Sequence, residues 1–277
     1  TDGKEYLDFV AGVSACSLGH CHPNIVAAIK AQSERYLHVM VYGEFAQEPA
    51  VNLAKELAKE LPDSLKVTYL VNSGTEAIEG ALKLAKRVTG RGGLIAAHNA
   101  YHGSTHGALS LLGAENQKKA YRPLLTGIQF IEFNEEKDLE KITTQTAAVL
   151  LETIQGGAGF IVPKNDYLKK VKRKCEAVGA MLILDEIQPG FGRTGKLFGF
   201  EHFDVVPDIL VIGKGMGGGL PIGAFSSSSE HMKLLSEHPK LGHITTFGGN
   251  PVIASAALAT LRTIKSEHII EAIAEKE

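Results

Sequence analysis

Lys214 is the first residue of this sequence that suggests chemistry. It lies in LVIGKGMGGGLPIG (210–223), directly after an apolar stretch that predicts a buried strand at 208–212. So many glycines allow the backbone to approach a bound molecule closely. A solvated loop lysine is the ordinary interpretation. The alternative is a catalytic amine, because a lysine with a lowered pKa can attack a carbonyl carbon.

A carboxylate follows another apolar stretch. The segment AMLILDE (180–186) predicts a buried strand that delivers Asp185, and Gln188 comes three residues later. A charged carboxylate at the end of a buried strand is unfavourable unless it is paired. We therefore expect Asp185 to have a cationic partner.

Two further segments place polar groups after predicted strands. In VNSGTEAIEGALKLAKR (71–87), Ser73 and Glu76 fit a capping box, and Gly74 and Thr75 leave free N–H groups at a helix N-terminus, where a phosphate can bind. An ordinary helix start would show the same residues.

The segment NAYHGST (99–105) follows the predicted strand 94–98 and contains Tyr101 and His102. An aromatic ring at this place could stack on a flat ligand, although simple packing is the commoner role for such a ring.

These four segments belong to a regular alternation of strands and helices. The predicted strands are apolar throughout, as in a sheet that is covered on both faces, so the fold class is α/β with a mainly parallel seven-stranded sheet flanked by helices. In such sheets, ligands bind at the carboxyl ends of the strands. The predicted strands are 67–71, 94–98, 128–133, 147–152, 180–186, 208–212 and 222–226, and the predicted helices are 23–36, 47–60, 75–88, 135–142, 164–178 and 251–265.

A phosphate site, an aromatic face, a buried carboxylate and an amine at one sheet edge match the needs of pyridoxal 5'-phosphate. Its phosphate needs N–H donors, its ring a stacking face, its pyridinium nitrogen a carboxylate, and its aldehyde a lysine. The combination is far more specific than any of its parts.

With these residues in place, the chain resembles the class III aminotransferases of fold type I (ornithine, acetylornithine and 4-aminobutyrate type). The resemblance covers nearly all 277 residues. It implies that Lys214 forms the Schiff base, that Asp185 faces the ring nitrogen and that Gln188 lies near the ring 3-hydroxyl. It also implies a homodimer with shared active sites, in which Thr246 reaches the phosphate of the other subunit. The cofactor-binding residues are then Ser73, Gly74, Thr75, Tyr101, His102, Glu152, Asp185, Gln188, Lys214 and Thr246. The segments that carry the resemblance are DGKEYLDFVAGV, LGHCHP, NSGTEAIEGALKLAKR, AYHGST, LILDEIQPGFGRTGK, PDILVIGKGMGGGLPIGA and HITTFGGNP.

The reaction that the resemblance implies is a ping-pong amino-group transfer. The donor is expected to be a terminal amine such as acetylornithine, ornithine, putrescine or 4-aminobutyrate, and the acceptor is 2-oxoglutarate. Asp185 would keep the ring nitrogen protonated, and Lys214 would act as general base and acid. An aminomutase, a decarboxylase and a truncated, non-catalytic cofactor-binding protein are the alternatives.

The sequence departs from the family pattern in the segment ETIQGGAG (152–159). Thr153 replaces a proline, and Gly157 replaces a glutamate that neutralises an arginine in ornithine-type members. We therefore expect a narrower range of amino donors. The expected organisation is an N-terminal segment (1–45), a large cofactor-binding domain (46–250) and a helix leading toward a largely missing C-terminal small domain (251–277).

Composition excludes several other classes of protein. The net charge of −2 gives no basic surface for nucleic acid, and no apolar run is long enough for a membrane span. Three cysteines and the absence of a signal-peptide pattern in TDGKEYLDFV favour the cytoplasm.

Two short motifs match functional patterns but lack the sequence context that those functions require. GHCHP (19–23) contains histidines and a cysteine, but adjacent residues cannot all bind one metal, so we expect no metal site. GFGRTG (190–195) matches a nicotinamide-binding pattern, yet it neither follows its strand directly nor opens a helix.

Overall fold

A seven-stranded sheet lies at the centre of the computed structural model, which describes residues 2–40, 43–273 and 275–276. Its spatial order is β1-β7-β6-β5-β4-β2-β3. All seven predicted strands are present, and their ends differ from the predicted ones by at most two residues. The strands are β1 (Val67–Val71), β2 (Gly93–Ala97), β3 (Ile128–Ile131), β4 (Thr146–Glu152), β5 (Met181–Asp185), β6 (Ile209–Gly213) and β7 (Gly223–Ser227).

The sheet is mainly parallel, as predicted. Strands β3, β2, β4, β5 and β6 form parallel pairs, whereas β7 is antiparallel to both of its neighbours, β6 and β1. Strand β1 therefore points in the same direction as β6. The carboxyl ends of every strand except β7 consequently meet at one edge of the sheet.

The helices follow the predicted pattern with one correction. The α-helices of the described residues are α1 (Ala11–Ser14), α2 (Pro23–Ser33), α3 (Glu48–Glu60), α4 (Gly74–Thr89), α5 (His106–Ser110), α6 (Glu115–Lys118), α7 (Tyr167–Val178), α8 (Ser229–Lys233) and α9 (Pro251–Ser266). The predicted helix at 135–142 is instead a 3₁₀ segment, Glu136–Lys141. Local side chains compete for its backbone there, because Asp138 accepts the N–H of Glu132 and Glu135 accepts the N–H of Lys137.

Two layers of apolar side chains cover the sheet. Helix α4 packs on one face, and helices α3, α7 and α9 pack on the other. Alternate residues of β4 supply the two layers, with Val149 and Leu151 on the side of α3 and Ala148 and Leu150 on the side of α4. In the part of the chain that the structure describes, none of the helices combines the length and the apolar character that crossing a bilayer would need.

Candidate functional site

A cavity of about 590 Å³ opens at the edge where the parallel strands end. Glu152 is the last residue of β4, and it pairs in register with Asp185, the last residue of β5. Lys214 directly follows β6. The cavity brings together most of the residues that the sequence singled out, namely Gly74, Thr75, Tyr101, His102, Glu152, Asp185, Gln188 and Lys214.

Lys214 begins a 3₁₀ turn, Lys214–Gly217, with a φ of +41°. This left-handed conformation is unfavourable for a residue with a side chain, and such strain persists where the surrounding structure imposes it. The side chain is half-buried, and no hydrogen-bond or ion-pair partner is found for it among the described residues. The turn thus presents an unpaired amine to the cavity.

Asp185 is buried, and where the sequence predicts a cationic partner the structure places the imidazole ring of His102. Its Oδ2 lies 2.8 Å from Nδ1 of His102, and its Oδ1 accepts the N–H of Ile187 at 2.9 Å. In the neutral ring with its proton on Nδ1, Nε2 of His102 is an acceptor, and in the protonated ring it is a donor. That nitrogen is buried and has no partner within the described residues. His102 therefore orients the carboxylate from beside the cavity.

Ser73 caps α4, but the predicted capping box is only half formed. Its Oγ accepts the N–H of Glu76 at 3.3 Å. The carboxylate of Glu76 binds the N–H and the side-chain amide of Asn72, at 2.8 and 2.9 Å, rather than the N–H of Ser73. The Asn72 side chain attracts the carboxylate one residue further back. Ser73 lies outside the cavity lining, while Gly74 and Thr75 lie in it at the positive end of a 16-residue helix.

Glycines allow the loops to approach this helix start. A Cβ on Gly223 would lie 2.1 Å from the carbonyl oxygen of Ser73, and a Cβ on Gly103 would lie 2.3 Å from Oγ1 of Thr75. Gly103 also has a φ of +131°, which favours glycine. The hydroxyl of Thr75 lies 2.7 Å from that of Thr105, which fixes the loop 99–105 against α4.

Tyr101 stands at the open side of the cavity, with 49% of its surface exposed. Its hydroxyl lies 3.2 Å from Oγ of Ser104. An exposed ring beside the cavity can cover one face of a flat ligand.

Glu152 connects two loops of the cavity wall. Its carboxylate accepts the N–H of Tyr101 at 3.3 Å and the N–H of Gly156 at 3.2 Å. Burial raises the pKa of Glu152 to about 7, with a smaller opposing contribution from His102. On the other side of the cavity, the amide of Gln188 donates to Oγ of Ser14 at 3.3 Å, which joins the N-terminal segment to the site.

The remaining sequence motifs lie elsewhere. Thr246 is exposed and does not line the cavity of its own chain. The histidines of GHCHP have separate partners, since His20 lies 2.8 Å from Asp8 and His22 lies 3.4 Å from Glu267.

Two residues behind the cavity were not predicted as site residues, although Thr153 stands out in the sequence as the replacement of a proline in the family pattern. Thr153 and Glu186 each follow a strand-ending carboxylate and are fully buried, and the hydroxyl of Thr153 donates to Glu186 at 2.6 Å. The available signal was a second acid directly after Asp185, in a segment that is otherwise apolar.

The protein has an α/β fold, and one edge of its sheet carries a helix N-terminus that suits a phosphate, an amine and an oriented carboxylate. Comparisons with known proteins agree with a site of this kind. The model of the class III aminotransferases matches residues 1–277. The chain therefore belongs to the class III aminotransferase family.

Individual relatives are similar over nearly the whole chain. The acetylornithine aminotransferase of Methanopyrus kandleri is 39% identical over 276 residues, which are 99% of this chain and 70% of the relative. The putrescine aminotransferase of Pectobacterium atrosepticum is 42% identical over 283 residues, which cover 98% of this chain and 60% of the relative. The chain thus spans roughly two thirds of the length of these proteins.

A solved structure shows the same architecture. The taurine:2-oxoglutarate aminotransferase of Bifidobacterium kashiwanohense, in complex with PLP and glutamate, is 30% identical and superposes with a TM-score of 0.91. The match covers 100% of this chain and 67% of that chain.

Proposed function

We propose that this chain is the cofactor-binding part of a pyridoxal-phosphate-dependent aminotransferase. The observation that carries the proposal is the arrangement of one cavity, which holds the unpaired amine of Lys214 and the carboxylate of Asp185 that His102 orients.

The residues present fit pyridoxal phosphate. The N–H groups at Gly74 and Thr75 would bind the phosphate, and the ring of Tyr101 would cover one face of the cofactor. Asp185 would hold a proton at the ring nitrogen. The buried, unpartnered Nε2 of His102 fits a site in which a further polar group completes the hydrogen bonding.

When bound, pyridoxal phosphate supplies a carbonyl group that condenses with amines and a ring that withdraws electrons from the substrate carbon. The work of the chain is to hold and move protons. The amine of Lys214 would serve as general base and acid, taking a proton from the substrate and giving it back during the transfer. Asp185, whose two oxygens are held by His102 and the N–H of Ile187, would hold a proton at the ring nitrogen.

The proposed substrates are a terminal amine and 2-oxoglutarate. Relatives named for acetylornithine and putrescine support the donor class, and the similar structure named for taurine and 2-oxoglutarate supports the acceptor. Localisation in the cytoplasm and assembly as a homodimer belong to the same proposal.

The cofactor proposal is tested by reduction. Purified protein is incubated with pyridoxal phosphate, treated with borohydride and digested, and the peptides are weighed by mass spectrometry. We expect the reduced cofactor on Lys214, loss of the label in Lys214→Ala, and retention of it in Lys196→Ala, which removes an exposed lysine. A label on another lysine, or no label, would overturn the proposal.

The donor range is tested at Gly157, because a Cβ there meets only the Cβ of Tyr101, at 3.8 Å. A Cβ at this position of the cavity wall therefore makes no close contact. We expect Gly157→Glu to accept more kinds of amino donor than the unmodified protein, and Gly157→Gln, which has the same size without the charge, to keep the narrow range. The measurement is glutamate formation from 2-oxoglutarate with a panel of amines. Equal use of 4-aminobutyrate and other donors by the unmodified protein would contradict the expectation.

A further inference from the structure

Behind the cavity, the chain places a second row of polar side chains. Glu152 and Asp185 pair in register and line the cavity, and the residues that follow them, Thr153 and Glu186, do not line it. Side chains alternate between the two faces of a strand, so this second row points away from the ligand space. Both of its members have 0% exposure.

Glu186 joins three segments of the chain through its carboxylate. It accepts the hydroxyl of Thr153 at 2.6 Å, the N–H of Gly199 at 2.8 Å and the N–H of Phe200 at 2.7 Å. Gly199 permits this approach, since a Cβ there would lie 3.2 Å from Oε1 of Glu186 and 3.2 Å from the Cβ of Pro189. The exit of β4, the turn 186–190 and the 3₁₀ segment Gly199–Phe203 are thereby held together.

A buried carboxylate is unfavourable at a position where packing alone is required. No cation pairs with Glu186 among the described residues, and burial raises its pKa to about 7 in spite of the three donors. An apolar side chain could fill the volume without this penalty. Unlike an apolar side chain, the carboxylate makes directional hydrogen bonds. Its three donors therefore fix the path of the main chain.

The main chain that is fixed in this way carries the ligand-facing residues. The N–H of Glu186 donates to the carbonyl of Val211 at 2.8 Å, and its carbonyl accepts the N–H of Gly190 at 3.0 Å. Asp185 precedes it and Gln188 lies within the turn that these bonds close. A displacement of Glu186 would therefore move both side chains relative to the cavity.

We propose that Thr153 and Glu186 are positioning residues for the cofactor, which act by fixing the main chain that bears Asp185 and Gln188. The inference rests on the proposed function, since it names what the second row contributes to the same site. Neither residue touches the ligand, so their removal changes the geometry of the site without removing a ligand contact.

The experiment compares three single variants of similar shape. Thr153→Val removes the hydroxyl donor, Thr153→Ser keeps it, and Thr146→Val removes a buried hydroxyl at the opposite end of the same strand, where it accepts the N–H of Thr143. Two readouts are taken. The first is the dissociation constant and absorption spectrum of bound pyridoxal phosphate, and the second is hydrogen exchange of the cofactor-free protein over residues 186–203.

We expect Thr153→Val to weaken cofactor binding about tenfold, which corresponds to about 1.4 kcal/mol, because the main chain that bears Asp185 and Gln188 is then less well fixed. Its bound-cofactor spectrum shifts, and exchange over 186–203 becomes faster. Thr153→Ser restores the unmodified values, and Thr146→Val shows unmodified binding and spectrum even where its stability is lower. Glu186→Gln is expected to change binding, spectrum and exchange in the same direction as Thr153→Val. If Glu186→Gln does not fold, the threonine variants alone test the positioning role.

The failures of the two proposals are distinguishable. If the unmodified protein binds no pyridoxal phosphate, the proposed function is overturned. If it binds the cofactor but Thr153→Val matches it in affinity, spectrum and exchange, the positioning role is overturned alone. Equal losses in Thr153→Val and Thr146→Val would also overturn it, because they would show a general effect of stability.

Discussion

At the scale of single residues, neighbouring carboxyl groups of the site have different environments. Asp185 has an imidazole 2.8 Å away, whereas the partners of Glu152 among the described residues are two backbone N–H groups. Burial therefore favours the protonated form of Glu152. Of the two paired strand ends, β5 supplies the carboxyl group that we propose for the ring nitrogen, and β4 supplies a carboxyl group that holds the loops.

Replacement of Asp185 tests its assigned role. We expect Asp185→Asn to lower turnover by several orders of magnitude with little change in the fold, because an amide cannot hold a proton at the ring nitrogen. A matched control is Asp208→Asn, since Asp208 precedes β6 at the opposite edge, where it accepts the N–H of Leu182 at 2.8 Å. The measurements are steady-state transamination and circular dichroism. Near-normal turnover of the Asp185 variant would remove that residue from its role.

Glu152 predicts a dependence of stability on pH. Its pKa rises from 4.5 to about 7 on folding, so its contribution to stability is fully present below pH 4.5 and is lost as the pH rises through about 7. This carboxyl alone lowers the free energy of unfolding by about 3 kcal/mol across that window. We expect urea unfolding at pH 5 and pH 8 to show a smaller decrease for Glu152→Gln than for the unmodified protein. The same decrease in both proteins would show that burial does not perturb this group.

At the scale of elements, the junction of β1, α4 and β7 depends on a glycine. A Cβ at Gly223 would lie 2.1 Å from the carbonyl oxygen of Ser73 and 3.0 Å from the backbone nitrogen of Gly74. We expect Gly223→Ala to push the start of α4 away, to lower stability by about 2 kcal/mol and to weaken cofactor binding. Gly92→Ala is the control, because nothing lies within 4 Å of a Cβ there. Thermal unfolding and cofactor titration measure both effects, and similar results for the two variants would contradict the close approach.

The secondary structure and the edge of the sheet that carries the site could be predicted from the sequence. Local patterns sufficed for the strands, since apolar runs such as 147–152 bury every residue, and for the helix start at Gly74. The edge of the sheet at which Lys214 and Asp185 meet also followed, from the direction of parallel strands.

Features that depend on contacts between distant residues could not be predicted from the sequence. His102 contacts Asp185 because β2, β4 and β5 are adjacent in the sheet. Thr153 contacts Glu186 because of the register between β4 and β5. The capping box failed for a local reason, because an asparagine beside Ser73 competes for Glu76. A hydrogen bond between remote side chains requires the strand order, which no short motif contains.

At the scale of the whole molecule, the cavity of one chain lacks the contact proposed for Thr246. This residue is exposed on its own chain, as expected for a group that serves the other subunit of a dimer. Apolar side chains near it, Ile244 and Phe247, are also exposed. The proposed homodimer would give these residues a partner.

Mixed dimers test the sharing of sites. Lys214→Ala lacks the amine, and Thr246→Asp places an anion against the phosphate of the other subunit, so each homodimer is expected to be inactive. In a co-expressed mixture, the mixed dimer has one site with an unmodified lysine and an unmodified threonine. We expect activity to return to about a quarter of the unmodified value, from random pairing. No recovery, with dimers confirmed by light scattering, would contradict shared sites.

The antiparallel strand β7 has a consequence for the order in which the protein is made. A chain leaves the ribosome N-terminus first. In the described sheet β1 pairs with β7 alone, and β7 is synthesised after the other six strands of that sheet, so β1 stays unpaired until then. Gly223, against which the start of α4 rests, arrives with that neighbour. A nascent chain halted at residue 220 therefore already contains the lysine and the aspartate but has no support for the phosphate site. We expect such a chain to expose an unpaired strand to chaperones and to acquire cofactor affinity only when β7 is complete.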